Sequence, residues 1–299
     1  MPNESARPRE EDMLRMSLLE HLEELRNRII KALAGLAVAF AVSVYFGDRI
    51  WQIVSQPIMD ALRSLGYAPR VIFTTPTEAF LTTWVKMPLL VSVFLASPWI
   101  LYQLWAFVAP GLYRRERRWA APFVIVTSGL FILGGAFGYF LAFRYGLEFL
   151  LGIGKGNGME PLISVSDYFD LFVEAMAGIG LAFELPVLIF LLALLRIVTP
   201  SFLLRQSRYA ILLIVIAAAI ITPTTDFFNL MLATVPMIAL YFLGVLATYL
   251  MAWHRDGRGL PKGRIVWPAL GLLAAGGAVF VLRREKFRLT AHWPFLTRR

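Results

Sequence analysis

The chain has 299 residues, of which 58% are hydrophobic and only 16% are charged, and its mean hydropathy is +0.66. Soluble domains are roughly a quarter charged, so this composition excludes an ordinary soluble domain and indicates a polytopic membrane protein. The sequence contains no cysteine, which excludes disulfides and thiol catalysis. Its net charge is +9, and in a membrane protein such a charge indicates membrane topology first, and nucleic-acid binding only second.

The first element is an amphipathic helix, which the stretch "SLLEHLEELRNRI" predicts. Its acids precede its bases, in the order that the helix dipole favours, and its leucines recur at helical spacing. The charged segment before it lacks the apolar core of a cleavable signal peptide. Two interpretations stay open: the helix lies on the membrane surface, or Glu23 or Glu24 faces a basic ligand.

Seven apolar runs follow, each long enough, or nearly so, to cross a hydrocarbon core of about 30 Å as a helix. They comprise residues 29–47, 87–113, 119–143, 175–195, 209–225, 227–253 and 265–282. The sequence therefore predicts an all-α polytopic membrane protein with six transmembrane helices, and the last run is a candidate for a seventh C-terminal span.

Basic residues divide unequally between the two sides of the first six spans. If the N-terminus is inside, seventeen Lys and Arg residues lie on the cytoplasmic side and five on the other. Positive charge accumulates in cytoplasmic loops, so we predict a cytoplasmic N-terminus. The same rule opposes a span at 265–282, because the basic tail would then lie outside, whereas the hydrophobicity of that run favours one. Both arrangements stay open.

These observations predict five consecutive parts of the chain. They are an N-terminal cytoplasmic segment with the amphipathic helix (1–28), a six-helix transmembrane domain (29–253), a cytoplasmic linker (254–264), the additional apolar segment (265–282) and a basic tail (283–299).

A short cytoplasmic loop after the second run, "FVAPGLYRRERR", carries one acid among four arginines. The arginines have a simple topological role, since they hold the loop on the cytoplasmic side. Glu116 is not explained by that role, and it stands just beyond a Pro-Gly turn. We therefore take Glu116 as a candidate binding residue.

Glu184 is the single charge near the centre of the fourth run. An ionisable group inside a span costs about 2.5–3.5 kcal/mol on insertion scales and commonly faces a bundle interior or a wet cavity. It has either a functional contact or the plain role of a neutral carboxyl bonded to a neighbouring helix. Pro186 has no amide hydrogen, so it leaves a backbone carbonyl nearby without its helical donor, and this favours a small polar cavity beside Glu184.

Motifs of catalysis are absent from the sequence. The three histidines are scattered, and no HExxH, GxSxG or phosphate-binding loop occurs. We therefore expect no enzyme activity, no metal and no cofactor. Any transport would be driven by an energy source outside this chain.

Four stretches carry a resemblance to a known family: "SLLEHLEELRNRI", "YQLWAFVAPGLYRRERR", "FELPV" and "ITPTTDFFNLMLATVP". In this order they resemble the TatC family, a subunit of the twin-arginine protein translocase. The resemblance implies a cupped six-helix bundle in the cytoplasmic (inner) membrane that binds twin-arginine signal peptides. It also implies export of folded proteins by the proton-motive force, together with single-span TatA-type and TatB-type partners. Contact with lipid and a homo-oligomeric receptor complex are expected, and nucleic acid is not.

The resemblance also implies roles for individual residues. Signal-peptide binding is implied for Glu24, Arg26, Phe107, Pro110, Leu112 and Glu116. Glu184 matches an acid that makes intramembrane or partner contacts, and Pro57 and Asp226 match functional positions of outer loops. An arginine pair needs carboxylates, so Glu24 and Glu116 would hold one arginine each.

Two positions depart from the family's pattern: Leu230 stands where a glutamine is frequent, and Phe242 where many members carry an acid. An alternative function from another class is a proton-coupled secondary transporter of a small solute, with Glu184 as the proton carrier. The sequence shows no pair of matching halves, which many such transporters have.

Overall fold

The computed structural model describes residues 18–109, 120–156, 158–222 and 226–256, and these residues are almost entirely helical. The helices are α1 Leu18–Tyr45, α2 Gly47–Ser64, α3 Pro76–Leu81, α4 Met87–Val108, α5 Ala120–Phe137, α6 Arg144–Gly156, α7 Val165–Ala182, α8 Leu185–Leu194, α9 Pro200–Arg205, α10 Ser207–Ile221 and α11 Phe227–Asp256. Two π-helical turns, Thr82–Lys86 and Gly138–Phe143, join α3 to α4 and α5 to α6.

Five helical segments in the described residues are long and apolar enough to cross a membrane. They are Leu19–Tyr45, Pro76–Val108, Pro122–Gly156, Val165–Leu194 and Phe227–Ala252. These segments confirm the predicted all-α polytopic class. The apolar helix α10 has 15 residues and measures about 22 Å at 1.5 Å per residue, so the count of six spans stays a prediction. The run at 265–282 and the tail lie outside the described residues, as does most of the linker.

Helix α1 is continuous across the boundary predicted at residues 28 and 29. The amphipathic segment and the first apolar run form one helix of 28 residues. No proline or glycine interrupts the sequence there, so nothing stops the helix from propagating. The charged turns of α1 are therefore rigidly attached to its apolar part, and their orientation follows from the packing of the whole helix.

Helix α1 packs against α4 along its length, and a glycine makes that contact close. A Cβ atom at Gly35 would lie 2.2 Å from Cδ1 of Trp99, so only glycine admits the indole at this point. The indole Nε1 of Trp99 donates a hydrogen bond of 2.8 Å to the carbonyl oxygen of Lys31. This contact fixes the register in which α1 and α4 meet.

The next close approach is made by a GxxxG, with Gly134 on α5 and Gly138 at the start of the π-helical turn that follows it. A Cβ at Gly134 would lie 2.9 Å from Cβ of Phe183 and 3.1 Å from Cα of Gly180, and one at Gly138 would lie 2.9 Å from Cε of Met176. Small residues let helix backbones approach in a membrane. In this structure the partner of the GxxxG is α7, with Phe183 just beyond its end.

The connections α2–α3 and α6–α7 are tied together at one end of the bundle. A parallel bridge joins them: the amide of Ile72 donates to the Ile163 carbonyl at 2.9 Å, and that of Val165 donates to the Ile72 carbonyl at 2.6 Å. The two loops therefore share backbone hydrogen bonds. Within the described part of the chain this pairing is an isolated bridge and does not extend into a strand.

A carboxylate, Glu78, strengthens the same junction. One of its oxygens accepts from the hydroxyl of Ser164 and, at 2.9 Å, from the amide of Ser166. The other accepts from the hydroxyl of Thr74 and, at 2.8 Å, from its amide. A single side chain thus connects the start of α3 with the start of α7.

Candidate functional site

One face of α1 carries a set of polar side chains directed at α4. His21, Glu24 and Arg28 follow one another at intervals of three and four residues, which places them on one side of a helix. Gln103 and Phe107, also one turn apart, are their partners on α4. The five residues form what we call the α1–α4 polar site.

The centre of this site is a guanidinium held between two helices. Nη2 of Arg28 lies 3.2 Å from Oε1 of Glu24, and Nη1 lies 3.3 Å from Oε1 of Gln103. The Glu24 side chain is 17% exposed and that of Arg28 is 26% exposed, whereas Gln103 is buried. The ion pair is therefore half-buried and only partly screened by solvent.

The second oxygen of Glu24 is the unusual atom of the site. Oε2 is buried and has no hydrogen-bond partner among the residues that the structure describes. A buried carboxylate oxygen without a donor is costly. Glu24 consequently retains the capacity to accept a further charged or polar donor.

An aromatic contact closes the site at one end. The ring of Phe107 is stacked on the imidazole of His21, with centroids 4.4 Å apart and planes at 17°. Phe107 is the last residue but one of α4. The stack thus attaches the first turn of α1 to the last turn of α4.

Arg26 does not join the α1–α4 polar site. It lies two residues after Glu24, close to the opposite side of the helix, and pairs with Glu23 at 3.5 Å. Both side chains are about two-thirds exposed. Of the predicted signal-binding residues, the structure brings together Glu24 and Phe107, while Arg26 faces away. Pro110, Leu112 and Glu116 lie outside the described residues.

Glu184 occupies a break between two helices within one apolar segment. Helix α7 ends at Ala182 and α8 begins at Leu185, with Pro186 in its first turn. Oε1 of Glu184 is buried and makes no hydrogen bond to any described residue. Helix α11 lies close by, since a Cβ at Gly244 would be 2.8 Å from Cα of Pro186.

Pro57 lies buried inside α2, and a tyrosine supplies the hydrogen bond that the proline removes from the helix. A proline has no amide hydrogen, so the carbonyl of Ile53, four residues earlier, loses its helical donor. The hydroxyl of Tyr139 donates to that carbonyl at 2.7 Å. The hydroxyl of Tyr168 donates to the next carbonyl, that of Val54. The two tyrosine hydroxyls thus attach the α2 backbone near Pro57 to the π-helical turn Gly138–Phe143 and to α7.

Asp226 caps the start of α11. Its carboxylate accepts hydrogen bonds of 2.8 Å from both the amide and the side-chain nitrogen of Asn229. Asn229 is buried, and a Cβ at Gly146 would meet its Oδ1 at 2.5 Å.

The two departures from the family's pattern, Leu230 and Phe242, pack in an apolar cluster with α10 and α8.

The groups that these sites offer are carboxylates, a guanidinium, an amide and an aromatic pair. The described residues contain no group of three or more His, Cys, Asp or Glu side chains that could hold a metal ion. A carboxylate with one unpaired oxygen suits the recognition of a guanidinium, which is planar and carries several donors.

Three members of the α1–α4 polar site were missed from the sequence, namely His21, Arg28 and Gln103. A signal for the first two was present, because they lie three residues before and four residues after Glu24 on the same helix face. Gln103 had no such signal, since only the packing of α4 on α1 brings it to Arg28.

Comparison with known proteins shows similarity over most of the chain. The family model of the Sec-independent protein translocase protein TatC matches residues 20–236. A TatC protein of Koribacter versatilis is 43% identical over 246 residues, which is 82% of this chain and 90% of that protein. The TatC protein of Aquifex aeolicus is 34% identical over 78% of this chain and 96% of its own length.

Solved structures give the same result. A crystal structure of the twin-arginine translocase receptor TatC superimposes with a TM-score of 0.66 and 31% sequence identity. The match covers 77% of this chain and 99% of the solved one. A second crystal structure of that receptor, in a detergent, gives a TM-score of 0.68 at the same identity and coverage. The predicted TatC-like fold is confirmed by this likeness.

Proposed function

Since the chain belongs to the TatC family of Sec-independent protein translocases, we propose that it is the translocase subunit that binds twin-arginine signal peptides. The family is one of protein transport and not of enzymes. The observation that carries the proposal is the α1–α4 polar site, where the Glu24 carboxylate has an unfilled, buried oxygen. A signal-peptide arginine offers the planar, multiple-donor group that fits such an acceptor.

The second arginine of the motif is assigned to Glu116. This acid follows Phe107 by nine residues along the chain, and Phe107 contacts α1 through His21. Pro110 and Leu112 belong to the same connection and are proposed to shape it, and Arg26 to contribute from the exposed side of α1. The arginines that flank Glu116 repel basic peptides that lack the required spacing.

The remaining assignments concern the assembled translocase. We place the protein in the inner membrane with a cytoplasmic N-terminus, because its basic residues are concentrated on that side. TatA-type and TatB-type single-span proteins are its proposed partners, in a receptor with several copies of this chain. Export draws on the proton-motive force, which suits a sequence without a nucleotide-binding motif. Pro57 and Asp226 are assigned to the outer face.

Glu184 is proposed to contact a polar group of a partner segment within the membrane. Its buried Oε1 lacks a donor among the described residues and lies at a break between α7 and α8. An unsatisfied acceptor at membrane depth favours a partner that supplies a hydrogen bond. The solute-transporter alternative gains no support from a family of protein translocases.

Co-purification from native membranes tests the proposal. Tagged protein with a Glu116→Ala substitution should lose twin-arginine precursors, while its yield and thermal unfolding temperature match the unsubstituted protein. Small single-span partners should remain bound, because the substitution leaves the membrane-embedded helices intact. Undiminished precursor binding in Glu116→Ala and in Glu24→Ala would overturn the residue assignment, and the absence of any precursor from the unsubstituted protein would overturn the function.

A further inference from the structure

A cavity lies between α10 and α11 on one side and the helices α6 and α7 on the other. Its empty space, including the open mouth, amounts to about 480 Å³. The lining comes from α6 and the π-helical turn before it, from α7, and from the adjoining ends of α10 and α11. The described residues that line it include no member of the α1–α4 polar site, so the cavity is separate from the site assigned to signal recognition.

Tight contacts beside the cavity show that the helices around it are not loosely packed. A Cβ at Gly178 of α7 would lie 2.2 Å from Cγ2 of Ile221, at the end of α10. The rings of Phe149 on α6 and Phe228 on α11 are stacked, with centroids 4.7 Å apart and planes at 21°. The pair α10 and α11 is thus held against both α7 and α6, while the space next to these contacts stays open.

Small residues leave this space open. Ala142, Gly146, Ala175 and Ala233 come from four different elements, and all four line the cavity. Protein interiors are otherwise close-packed and contain few voids larger than a water molecule. The cavity therefore indicates an occupant other than the side chains that surround it.

Water is a poor occupant, because a buried water typically makes about three hydrogen bonds to polar groups. Of the described lining residues, only Thr222 and Asn229 have polar side chains. The Thr222 hydroxyl already donates to the Ala218 carbonyl at 2.7 Å, and the Asn229 side-chain nitrogen donates to Asp226 at 2.8 Å. Glu174 is exposed on α7 and does not line the cavity. The occupant is therefore expected to be apolar.

The surroundings of the cavity supply an apolar occupant. The lining helices belong largely to the segments Pro122–Gly156, Val165–Leu194 and Phe227–Ala252, which are long and apolar enough to cross a membrane. Next to the lining, Ile220 and Phe227 are 79% and 75% exposed. An apolar surface on membrane-spanning helices faces the hydrocarbon of the bilayer. The cavity is continuous with such a surface, so lipid chains surround its mouth.

We propose that this cavity binds an alkyl chain of a bilayer lipid. The bound chain contacts α6 and α7 on one side and α10 and α11 on the other, so hydrocarbon from the bilayer completes the packing between them. Lipid then reaches Phe143 and Leu147, which line the cavity although they are only 5% and 6% exposed. The inference goes beyond the proposed function and does not depend on signal recognition.

A helix of a partner protein is the alternative occupant. One helical turn with its side chains is about 10 Å wide and about 5.4 Å high, so a single turn would take up nearly the whole space. A partner helix could therefore insert a side chain but could not lie inside the cavity. Protein reconstituted without partners distinguishes the two occupants, because only lipid is then available.

The test uses the full-length protein in phosphatidylcholine nanodiscs that contain a phospholipid with a diazirine on one acyl chain. Light activates the diazirine, and mass spectrometry of the digested protein identifies the labelled residues. We expect label at Phe143 and Leu147. Exposed Ile220 should be labelled as an ordinary lipid contact, whereas Ile189, which is 6% exposed and outside the lining, should not be labelled.

Two variants fill the cavity from opposite sides. Ala175→Leu enlarges a side chain of α7 and Ala233→Leu one of α11, so one variant stays informative if the other does not fold. Each should lose most of the label at the two buried positions and keep it at Ile220. The matched control is Ala219→Leu, because Ala219 is exposed on α10 and does not line the cavity. It should be labelled like the unsubstituted protein.

Two results would overturn the inference. The first is label at Phe143 and Leu147 no stronger than at Ile189 while Ile220 is labelled, because the space is then closed to lipid. The second is label at the buried positions that persists unchanged in both filled variants, because lipid then reaches them by another route. Neither result bears on the proposed function, since the labelling does not measure signal-peptide binding.

Discussion

The imidazole of His21 and the ring of Phe107 are stacked with centroids 4.4 Å apart, which attaches the first turn of α1 to the last turn of α4. An aromatic pair of this kind contributes about 0.5–1.5 kcal/mol beyond the area that it buries. We predict that His21→Leu and Phe107→Leu each weaken binding of a twin-arginine peptide, by roughly two- to twelvefold. The double variant should be little weaker than either single one, because both remove the same contact. Fully additive losses would show that the stack does not matter.

Pro57 and Tyr139 form the second testable pair, since the tyrosine hydroxyl serves the carbonyl of Ile53 that the proline leaves without a helical donor. Tyr139→Phe should lower the free energy of unfolding by about 0.5–1.5 kcal/mol, the net contribution of one hydrogen bond. In a Pro57→Ala background an amide at position 57 can serve Ile53, so the same substitution should cost less. Thermal unfolding of the four proteins in detergent measures this coupling, and equal costs in both backgrounds would contradict it.

Glu78 is expected to hold the α2–α3 and α6–α7 connections together. Glu78→Gln replaces one acceptor oxygen by a donor, which faces the amide and hydroxyl donors of Thr74 or of Ser164 and Ser166. We predict faster proteolysis of both connections and a lower unfolding temperature. The control is Glu160→Gln, an exposed acid in the same α6–α7 connection. Equal behaviour of the two variants would show that charge alone, and not the set of hydrogen bonds, is responsible.

Gly134 should not tolerate a methyl group, because a Cβ there would lie 2.9 Å from Phe183 and 3.1 Å from the backbone of Gly180. Gly134→Ala is expected to separate α5 from α7 and to cost about 1–3 kcal/mol of stability. Gly129→Ala is the matched control on the same helix, since nothing lies within 4 Å of its Cβ position. Thermal unfolding compares the two. A Gly134→Ala protein as stable as Gly129→Ala would refute the close approach.

The positions of the long helices could be predicted from sequence because hydropathy is a local property of the chain. The runs predicted to begin at residues 87 and 227 begin there in the structure, as α4 and α11. The boundary expected at residues 28 and 29 was a change of composition, and the structure has no break there. Composition changes abruptly along α1, whereas its backbone hydrogen bonds continue through the change.

The site was predictable only in part, and for a physical reason. Glu24 and Phe107 were identified through a resemblance, and the structure places them at one interface. Arg28 and Gln103 contribute through a contact that spans 75 residues of sequence, and no local pattern specifies such a contact. The same holds for Tyr139, whose hydroxyl serves a carbonyl 86 residues away. Contacts between distant side chains and backbone atoms depend on how the helices pack.

The central claim is that the Glu24 carboxylate binds an arginine of a twin-arginine signal peptide. The most direct measurement is the affinity of a labelled twin-arginine peptide for the full-length protein in nanodiscs, compared between Glu24→Gln and Glu23→Gln. Both variants remove one negative charge from the same helix, but Glu23 is exposed and pairs with Arg26. We predict a roughly ten- to hundredfold loss of affinity for Glu24→Gln, the range of a charge-assisted hydrogen bond, and little change for Glu23→Gln. Equal affinities of the two variants would contradict the claim.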